Sequence, residues 1–329
     1  MTKVTVIGCG AWAMTISKIL AENQHQVLVW CHRDALAEDI NQNHQQSKVL
    51  PGVILPNGVK ATTNLKKAIE YSRYCVFGLA SSFLSVVDDM VPYYTSDKLM
   101  LSLTKGILKD EDGLFVSALL KRKLNAPLAV LSGPNIAIEI ANRLPAATVI
   151  ASTDHRVSKK FQKLLSNSRF RVYTSKDPIG VEIGGMLKNI IAIAAGCIDG
   201  LTLGNNAKAT LISRGIKEMV RFGKLYRARV KTFYGLSGLG DLVTTCMSNR
   251  SRNWQVGHGL TKGQSLAEIL NHLNAVAEGV KTTAVVYELA KKQEIDMPIV
   301  NQVFSLLYEN KSPEEALNAL MSRKLKAEK

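Results

Sequence analysis

The stretch Val4-Thr5-Val6-Ile7-Gly8-Cys9-Gly10-Ala11-Trp12-Ala13 decides the fold. Its first four residues read as a strand, and from Ala11 onward Ile16, Ile19 and Leu20 recur at helical spacing. Between strand and helix, Gly8 permits a tight turn and Gly10 lets backbone approach a pyrophosphate. The third position of this fingerprint needs only a small residue for helix–strand packing, which Ala13 supplies. The helix start adds free N–H groups and a partial positive charge. Gly8, Gly10 and Ala13 are therefore candidate contacts to a dinucleotide.

Outward from this point, short apolar runs alternate with amphipathic stretches. Strand candidates are Val4–Ile7, Val27–Trp30, Tyr74–Leu79, Leu99–Leu103, Leu128–Leu131, Ala147–Ala151 and Phe170–Tyr173. Such alternation means βαβ units and a mostly parallel sheet. The long stretch Asn41–Gly58, with Pro51 and Pro56, is a candidate flap. After Asp177-Pro178 the pattern changes: Ile179–Leu201 reads as one long apolar helix, and helices separated by Gly-rich breaks follow. The expected class is α/β, with an N-terminal Rossmann-type doubly wound parallel sheet and an all-α C-terminal domain. The expected boundaries are 1–177 for a dinucleotide-binding domain and 178–329 for a helical substrate-binding domain.

The second strand runs into Cys31-His32-Arg33-Asp34. A carboxylate at this strand end binds a ribose 2′-hydroxyl, whereas an arginine accommodates a 2′-phosphate. Arg33 comes first and Asp34 lies further into the turn, so NADPH is favoured over NADH.

Four further segments set polar residues in tight or apolar surroundings. Lys105 in Leu103-Thr104-Lys105-Gly106 falls just past a strand's carboxyl end, where ligands sit in such sheets. Gly133 and Asn135 in Leu131-Ser132-Gly133-Pro134-Asn135 fall likewise. Lys188 and Asn189 interrupt the apolar helix; a buried lysine is costly unless paired, and burial moves an ammonium towards the range useful for proton transfer. Taken alone, Lys188 could equally snorkel to water. Asp241 ends the Gly238-Leu239-Gly240 turn, where capping a helix is the commonest role for an aspartate. Ser251-Arg252-Asn253 offers a hydroxyl, a guanidinium fork and an amide, a set suited to phosphate, although Ser251 also suits a plain helix start.

Composition narrows the classes. With 46% hydrophobic residues the 329-residue chain can bury two cores. No signal peptide precedes the first strand, and no uninterrupted apolar run approaches the roughly 20 residues that span a bilayer, so a cytoplasmic protein without membrane insertion is expected. Five scattered cysteines without a Cys-x-x-Cys spacing suggest neither a disulfide frame nor a zinc site, and no metal is expected. The formal charge of +15 has its densest patch at Arg221–Lys231, which reads as a solvated helix face rather than a nucleic-acid surface. Positive charge also steers anionic metabolites, which suits a phosphorylated small molecule.

The ordered motifs GCGAWA, LTKG, LSGPN, GVEIGGMLKNIIAIAAGCIDGL, GNNAKATLISRG, GLSGLGDL, SRN and AEG closely resemble the bacterial-type NAD(P)-dependent glycerol-3-phosphate dehydrogenase family, from about residue 4 to residue 280. The resemblance implies hydride transfer between dihydroxyacetone phosphate and sn-glycerol 3-phosphate with NADPH or NADH, supplying glycerol 3-phosphate for phospholipid synthesis. It implies that Lys188 is the acid/base, that Lys105 touches both the substrate and the nicotinamide side, and that Asp241 lies in the substrate pocket. Gly133, Asn135, Ser251, Arg252 and Asn253 match substrate positions, with Arg252 near both phosphate and cofactor. Ala11, Trp12, Arg33, Ala137, Val276 and Glu278 match cofactor positions. The chain departs from the family pattern at Ala13-Met14 for Gly-Thr, at Ala80 for proline, and at Asn135-Ile136 for Ser/Thr-Phe. The alternatives are a related two-domain keto-acid reductase, such as a ketopantoate reductase, and a non-catalytic NAD(P)-sensing regulator. Oligomeric state is open, a homodimer among the options.

Overall fold

A computed structural model describes residues 1–110, 113–273, 277–325 and 327–328. Two compact units emerge, Met1–Glu182 and Ile183–Lys329.

The first unit is built on strands β1 (Lys3–Ile7), β2 (Gln26–Trp30), β3 (Val59–Thr62), β4 (Tyr74–Phe77) and β5 (Leu99–Ser102), a hairpin of β6 (Ile107–Asp110) and β7 (Gly113–Phe115), and then β8 (Leu128–Ser132), β9 (Ala146–Ala151) and β10 (Phe170–Ser175). Eight strands form one sheet in the order β10-β9-β8-β5-β4-β1-β2-β3. Every neighbouring pair is parallel except β8–β9, which is antiparallel. Both faces are covered. Val4 and Val6 join one core with Val27, Val29 and the buried side of helix Ala11–Glu22, while Ile7, Trp30, Cys75 and Phe77 join a second core with Val116 and Leu120. This two-sided burial explains why the strands read as apolar runs.

From β1 the chain steps outward to β2 and β3 on one side and to β4 and β5 on the other. The order therefore reverses between β1 and β4, and the crevice outside their carboxyl ends is where ligands bind in such sheets.

The stretch expected as a flap is tied down instead. Gln46 Nε2 donates to the Cys9 carbonyl at 3.0 Å, and Leu50, Val53 and Leu55 are buried in the first core. Its apolar residues lack a periodic pattern, so their burial was not legible from spacing.

Helix Pro178–Gly200 begins in the first unit and supplies the start of the second. Asp177 caps it, its carboxylate accepting from Gly180 N at 3.0 Å, and Pro178 occupies the first turn, where its missing N–H costs nothing. This helix is long and apolar enough to cross a bilayer, but 89% of its most apolar window is buried inside the protein. In the second unit the described residues form helices. Helix Arg252–Leu260 crosses the long helix closely, because a Cβ on Gly257 would lie 1.8 Å from the Ile193 carbonyl and one on Gly196 would lie 2.0 Å from that of Trp254. The contact fixes Arg252 and its neighbours relative to Lys188.

Candidate active site

Gly8 leaves β1 with φ +108°, a backbone conformation that glycine adopts without strain, and its N–H donates to Trp30 O at 3.0 Å. A Cβ on Gly10 would meet nothing within 4 Å. Helix Ala11–Glu22 then starts without a side-chain cap, and Trp12 carries a buried indole N–H that has no hydrogen-bond partner among the described residues. An open approach at Gly10, an uncapped helix start and an orphaned donor together fit a pyrophosphate. Ala13 is packed inside the core.

Arg33 is exposed and stands at the N-cap of helix Asp34–Asn43. The Asp34 carboxylate accepts from Thr63 Oγ1 at 2.7 Å, beyond the end of β3, so the acid is held by the protein. Ala137 begins the short helix Ala137–Ala141, and its carbonyl accepts from Thr15 Oγ1 at 3.2 Å, joining it to the first helix. Glu278 begins helix Glu278–Lys292 in the second unit. Val276 lies outside the described residues.

Lys105 and Gly133 come together past the carboxyl ends of neighbouring strands β5 and β8, with Lys105 Nζ donating to Gly133 O at 3.3 Å. Thr104 Oγ1 donates to Leu79 O at 2.8 Å and anchors the loop that carries the lysine. The Asn135 amide is engaged by β9: its oxygen accepts from Thr148 Oγ1 at 2.9 Å and its nitrogen donates to Ala147 O at 3.5 Å.

In the second unit Lys188 and Asp241 form a buried ion pair, with side-chain exposures of 10% and 1%. Lys188 Nζ also donates to Thr245 Oγ1 at 2.8 Å, and that hydroxyl donates to the Asp241 carbonyl at 2.6 Å. Asp241 and Thr245 sit one turn apart on helix Asp241–Met247, so one helix face presents both partners to the ammonium. An ammonium held this way keeps a proton available without being free to reorient, and it would be too costly to leave unpaired.

Next to the lysine, Asn253 Nδ2 donates to Asn189 Oδ1 at 3.0 Å, and Asn253 Oδ1 accepts from Gly279 N at 2.9 Å. The amide of Asn253 thus ties the long helix to the start of helix Glu278–Lys292. Ser251 is the N-cap of helix Arg252–Leu260, its hydroxyl accepting from Trp254 N at 3.3 Å, and Arg252 beside it is exposed. Trp254 Nε1 donates to Asp199 Oδ2 at 2.7 Å, and Lys208 pairs with the same carboxylate. Among the described residues no group of three or more His, Cys, Asp or Glu could hold a metal ion.

Thr245 was not singled out from the sequence, and Asn189 only as a polar residue set in an apolar helix. Thr245 had a signal, its i+4 spacing from Asp241. Asn189 directly follows Lys188, but its role as a tether to Asn253 depends on a contact 64 positions away.

A fingerprint loop at the switch point of a doubly wound sheet, and a helical unit with a buried lysine–aspartate pair, fit an NAD(P)-dependent oxidoreductase. The family model described as the NAD-dependent glycerol-3-phosphate dehydrogenase N-terminus matches residues 3–158, and that for its C-terminus matches residues 177–318. The chain belongs to the NAD-dependent glycerol-3-phosphate dehydrogenase family. It is 40% identical to glycerol-3-phosphate dehydrogenase [NAD(P)+] of Listeria innocua, over 99% of this chain and 98% of that protein. It is 41% identical to the protein of the same name from Lysinibacillus sphaericus, over 100% and 98%. The crystal structure of glycerol-3-phosphate dehydrogenase from Coxiella burnetii superposes with a TM-score of 0.93 at 34% identity, covering 98% of this chain and 99% of that one.

Proposed function

We propose that the chain interconverts dihydroxyacetone phosphate and sn-glycerol 3-phosphate with NADPH as the preferred nicotinamide cofactor. The observation that carries this reading is the Lys188 ammonium, buried and held by Asp241 and Thr245. When bound, the nicotinamide supplies or accepts the hydride. Lys188 gives a proton to the ketone oxygen as negative charge develops there, and takes it back from the hydroxyl in the reverse direction. Asp241 keeps the lysine charged and aimed, and Lys105 adds a second cation to stabilise the developing charge. Arg252, exposed beside the cap of its helix, takes the substrate phosphate as a guanidinium fork.

In this reading residues 1–177 hold the dinucleotide at Gly8, Gly10, Ala11 and Trp12, with Ala13 packing the helix against the strand rather than meeting the ligand, and residues 178–329 hold the substrate. Arg33 takes the 2′-phosphate, a role favoured by the engagement of Asp34 with Thr63. Ala137 and Glu278 line the cofactor. Gly133 meets the substrate through its backbone; Asn135, Ser251 and Asn253 shape the pocket, and their amides and hydroxyl also serve the protein contacts described above. The reaction belongs to phospholipid precursor supply in the cytoplasm, with a small phosphorylated molecule as partner rather than nucleic acid or membrane.

The test is loss of 340-nm absorbance with dihydroxyacetone phosphate, comparing NADPH with NADH for the wild type and Lys188→Ala. Turnover by the wild type and its loss in a folded variant supports both substrate and proton donor. A folded wild type that reduces keto acids but not dihydroxyacetone phosphate would return the reading to a keto-acid reductase, and one that binds NADPH without turnover would make it a sensor.

A further inference from the structure

Two of the five cysteines face each other at the cofactor loop. In the β1–β2 pair Ile7 lies opposite Trp30, and Gly8 N donates to Trp30 O at 3.0 Å, which brings the residues just beyond the strand ends side by side. Side chains alternate along a strand, so Cys31 continues the row of Val27 and Val29 into the first core. After the turn at Gly8, Cys9 enters that same core. Both thiols are free and buried in that core.

We propose that Cys9 and Cys31 are a redox pair that gates the dinucleotide loop: a hydroperoxide oxidises the two facing thiols to a disulfide, and the disulfide weakens dinucleotide binding. The inference rests on Gly8–Ala13 being the dinucleotide site.

The pair is chemically asymmetric. The neighbouring Cys31 thiol holds the Cys9 thiol below the usual range, with the Gln46 side chain and the Arg33 charge acting in the same direction against burial. The neighbouring Cys9 and burial push Cys31 up. Cys9 is therefore the group that ionises, and the thiolate is the nucleophile. Burial pushes Cys75, Cys197 and Cys246 up to about 12 each, so none of them ionises as Cys9 does.

In the first step the Cys9 thiolate attacks the terminal peroxide oxygen and the O–O bond breaks, giving a sulfenic acid and the alkoxide (hydroxide from hydrogen peroxide), which takes up the proton that Cys9 released. In the second, the Cys31 sulfur attacks the sulfenic sulfur; the S–O bond breaks and the hydroxyl leaves with the Cys31 proton as water. Overall two thiols and one hydroperoxide give one disulfide, the reduced hydroxyl compound and water. A disulfide also demands that the two Cα atoms lie about 4.4–6.8 Å apart in a defined orientation. Cys9 lies between Gly8 and Gly10, whose backbone must approach the pyrophosphate, and Cys31 is two residues before Arg33. A constraint on either sulfur therefore acts on the phosphate contacts.

The experiment treats the full-length reduced protein with hydrogen peroxide, with and without saturating NADPH. Readouts are intact mass, peptide mapping under non-reducing conditions, and NADPH titration before oxidation, after it and after dithiothreitol. Expected are the loss of two hydrogens, a cross-linked Cys9–Cys31 peptide and NADPH affinity lowered about tenfold, within the usual range for coupled sites. Reductant restores the affinity, and by reciprocity bound NADPH slows the cross-link. Cys31→Ser binds NADPH normally and resists the effect; should it fold poorly, reversal by reductant in the wild type carries the test. Absence of the cross-linked peptide, or a cross-link that leaves NADPH affinity unchanged, overturns the inference while NADPH binding by the reduced protein leaves the cofactor reading standing. A reduced protein that does not bind NADPH overturns both.

Discussion

Ala13 and Gly78 fill one space between the first helix and β4: a Cβ on Gly78 would lie 2.8 Å from the Cβ of Ala13. The dinucleotide fingerprint commonly puts glycine where Ala13 stands, because that position lets helix and strand pack closely. Here the methyl group is present on the helix, and the missing side chain is on the strand side. Gly78 is held there by its N–H to Ile7 O at 2.9 Å, so it cannot simply move away.

The pair predicts a reciprocal rescue. Gly78→Ala overpacks the junction, costing about 1–3 kcal/mol, and weakens NADPH binding by displacing the loop. The double variant Ala13→Gly/Gly78→Ala recovers most of both losses. Thermal unfolding and NADPH titration of the three proteins check this; a double variant no better than Gly78→Ala would show that the two residues do not share the space.

The Lys188–Asp241 pair predicts non-additive stability and a separate loss of activity. Asp241→Asn leaves a buried ammonium without its counter-charge and destabilises by about 3–5 kcal/mol. Lys188→Met leaves the carboxylate unpaired and does likewise, while lowering kcat by about 10²–10⁴. Lys188→Met/Asp241→Asn costs less than the two singles together, since no charge remains buried. Denaturant unfolding checks this cycle, and strict additivity would count against the pair.

Much of the fold was legible because burial and period agree in the sequence. Val4–Ile7 before Gly8 and Asp177-Pro178 before the long helix each carry a local physical cause, a turn or a cap, that does not depend on distant contacts. β3 was missed because Val59-Lys60-Ala61-Thr62 is a short edge strand, half polar, without an apolar run. The hairpin of β6 and β7 was missed for the same reason of length. At the site, Lys188 and Asp241 were each readable as costly or cap-like residues, but their union across 53 positions was not, because no periodicity encodes which buried charge meets which. Asn135 shows the opposite limit: its position was clear, yet its amide is turned onto Thr148 by a contact between strands.

Arg33 predicts a cofactor-specific loss. A charge-assisted hydrogen bond contributes about 1.5–3 kcal/mol, so Arg33→Ala raises the KM for NADPH by about ten- to a hundredfold and changes that for NADH little. Steady-state kinetics with both cofactors at saturating dihydroxyacetone phosphate decide it. Equal effects on both would place Arg33 away from the 2′-position.

The buried carboxyls predict a stability that falls as the solution becomes more alkaline. Glu218 is almost fully buried; burial pushes its carboxyl up to about 7, although it accepts from Ile299 N at 2.7 Å and Val300 N at 3.1 Å at the start of helix Pro298–Tyr308. Burial also pushes the Glu182 carboxyl up to about 7, against hydrogen bonds from the Ser117 hydroxyl and N–H. A carboxyl whose folded value lies above its unfolded value binds more protons in the folded state. Its contribution is fully present below about 4.5, the unfolded value, and is lost as pH rises through about 7. The amount is on the order of 3 kcal/mol per group, from the size of that displacement. Unfolding free energies measured between about pH 4.5 and pH 8 therefore decline for the wild type, and less steeply for Glu218→Gln. That variant starts lower, because its single amide oxygen cannot accept from both N–H groups. A wild type whose stability rises across this window would mean that both carboxyls are already ionised in the folded protein, with the helix starts outweighing burial.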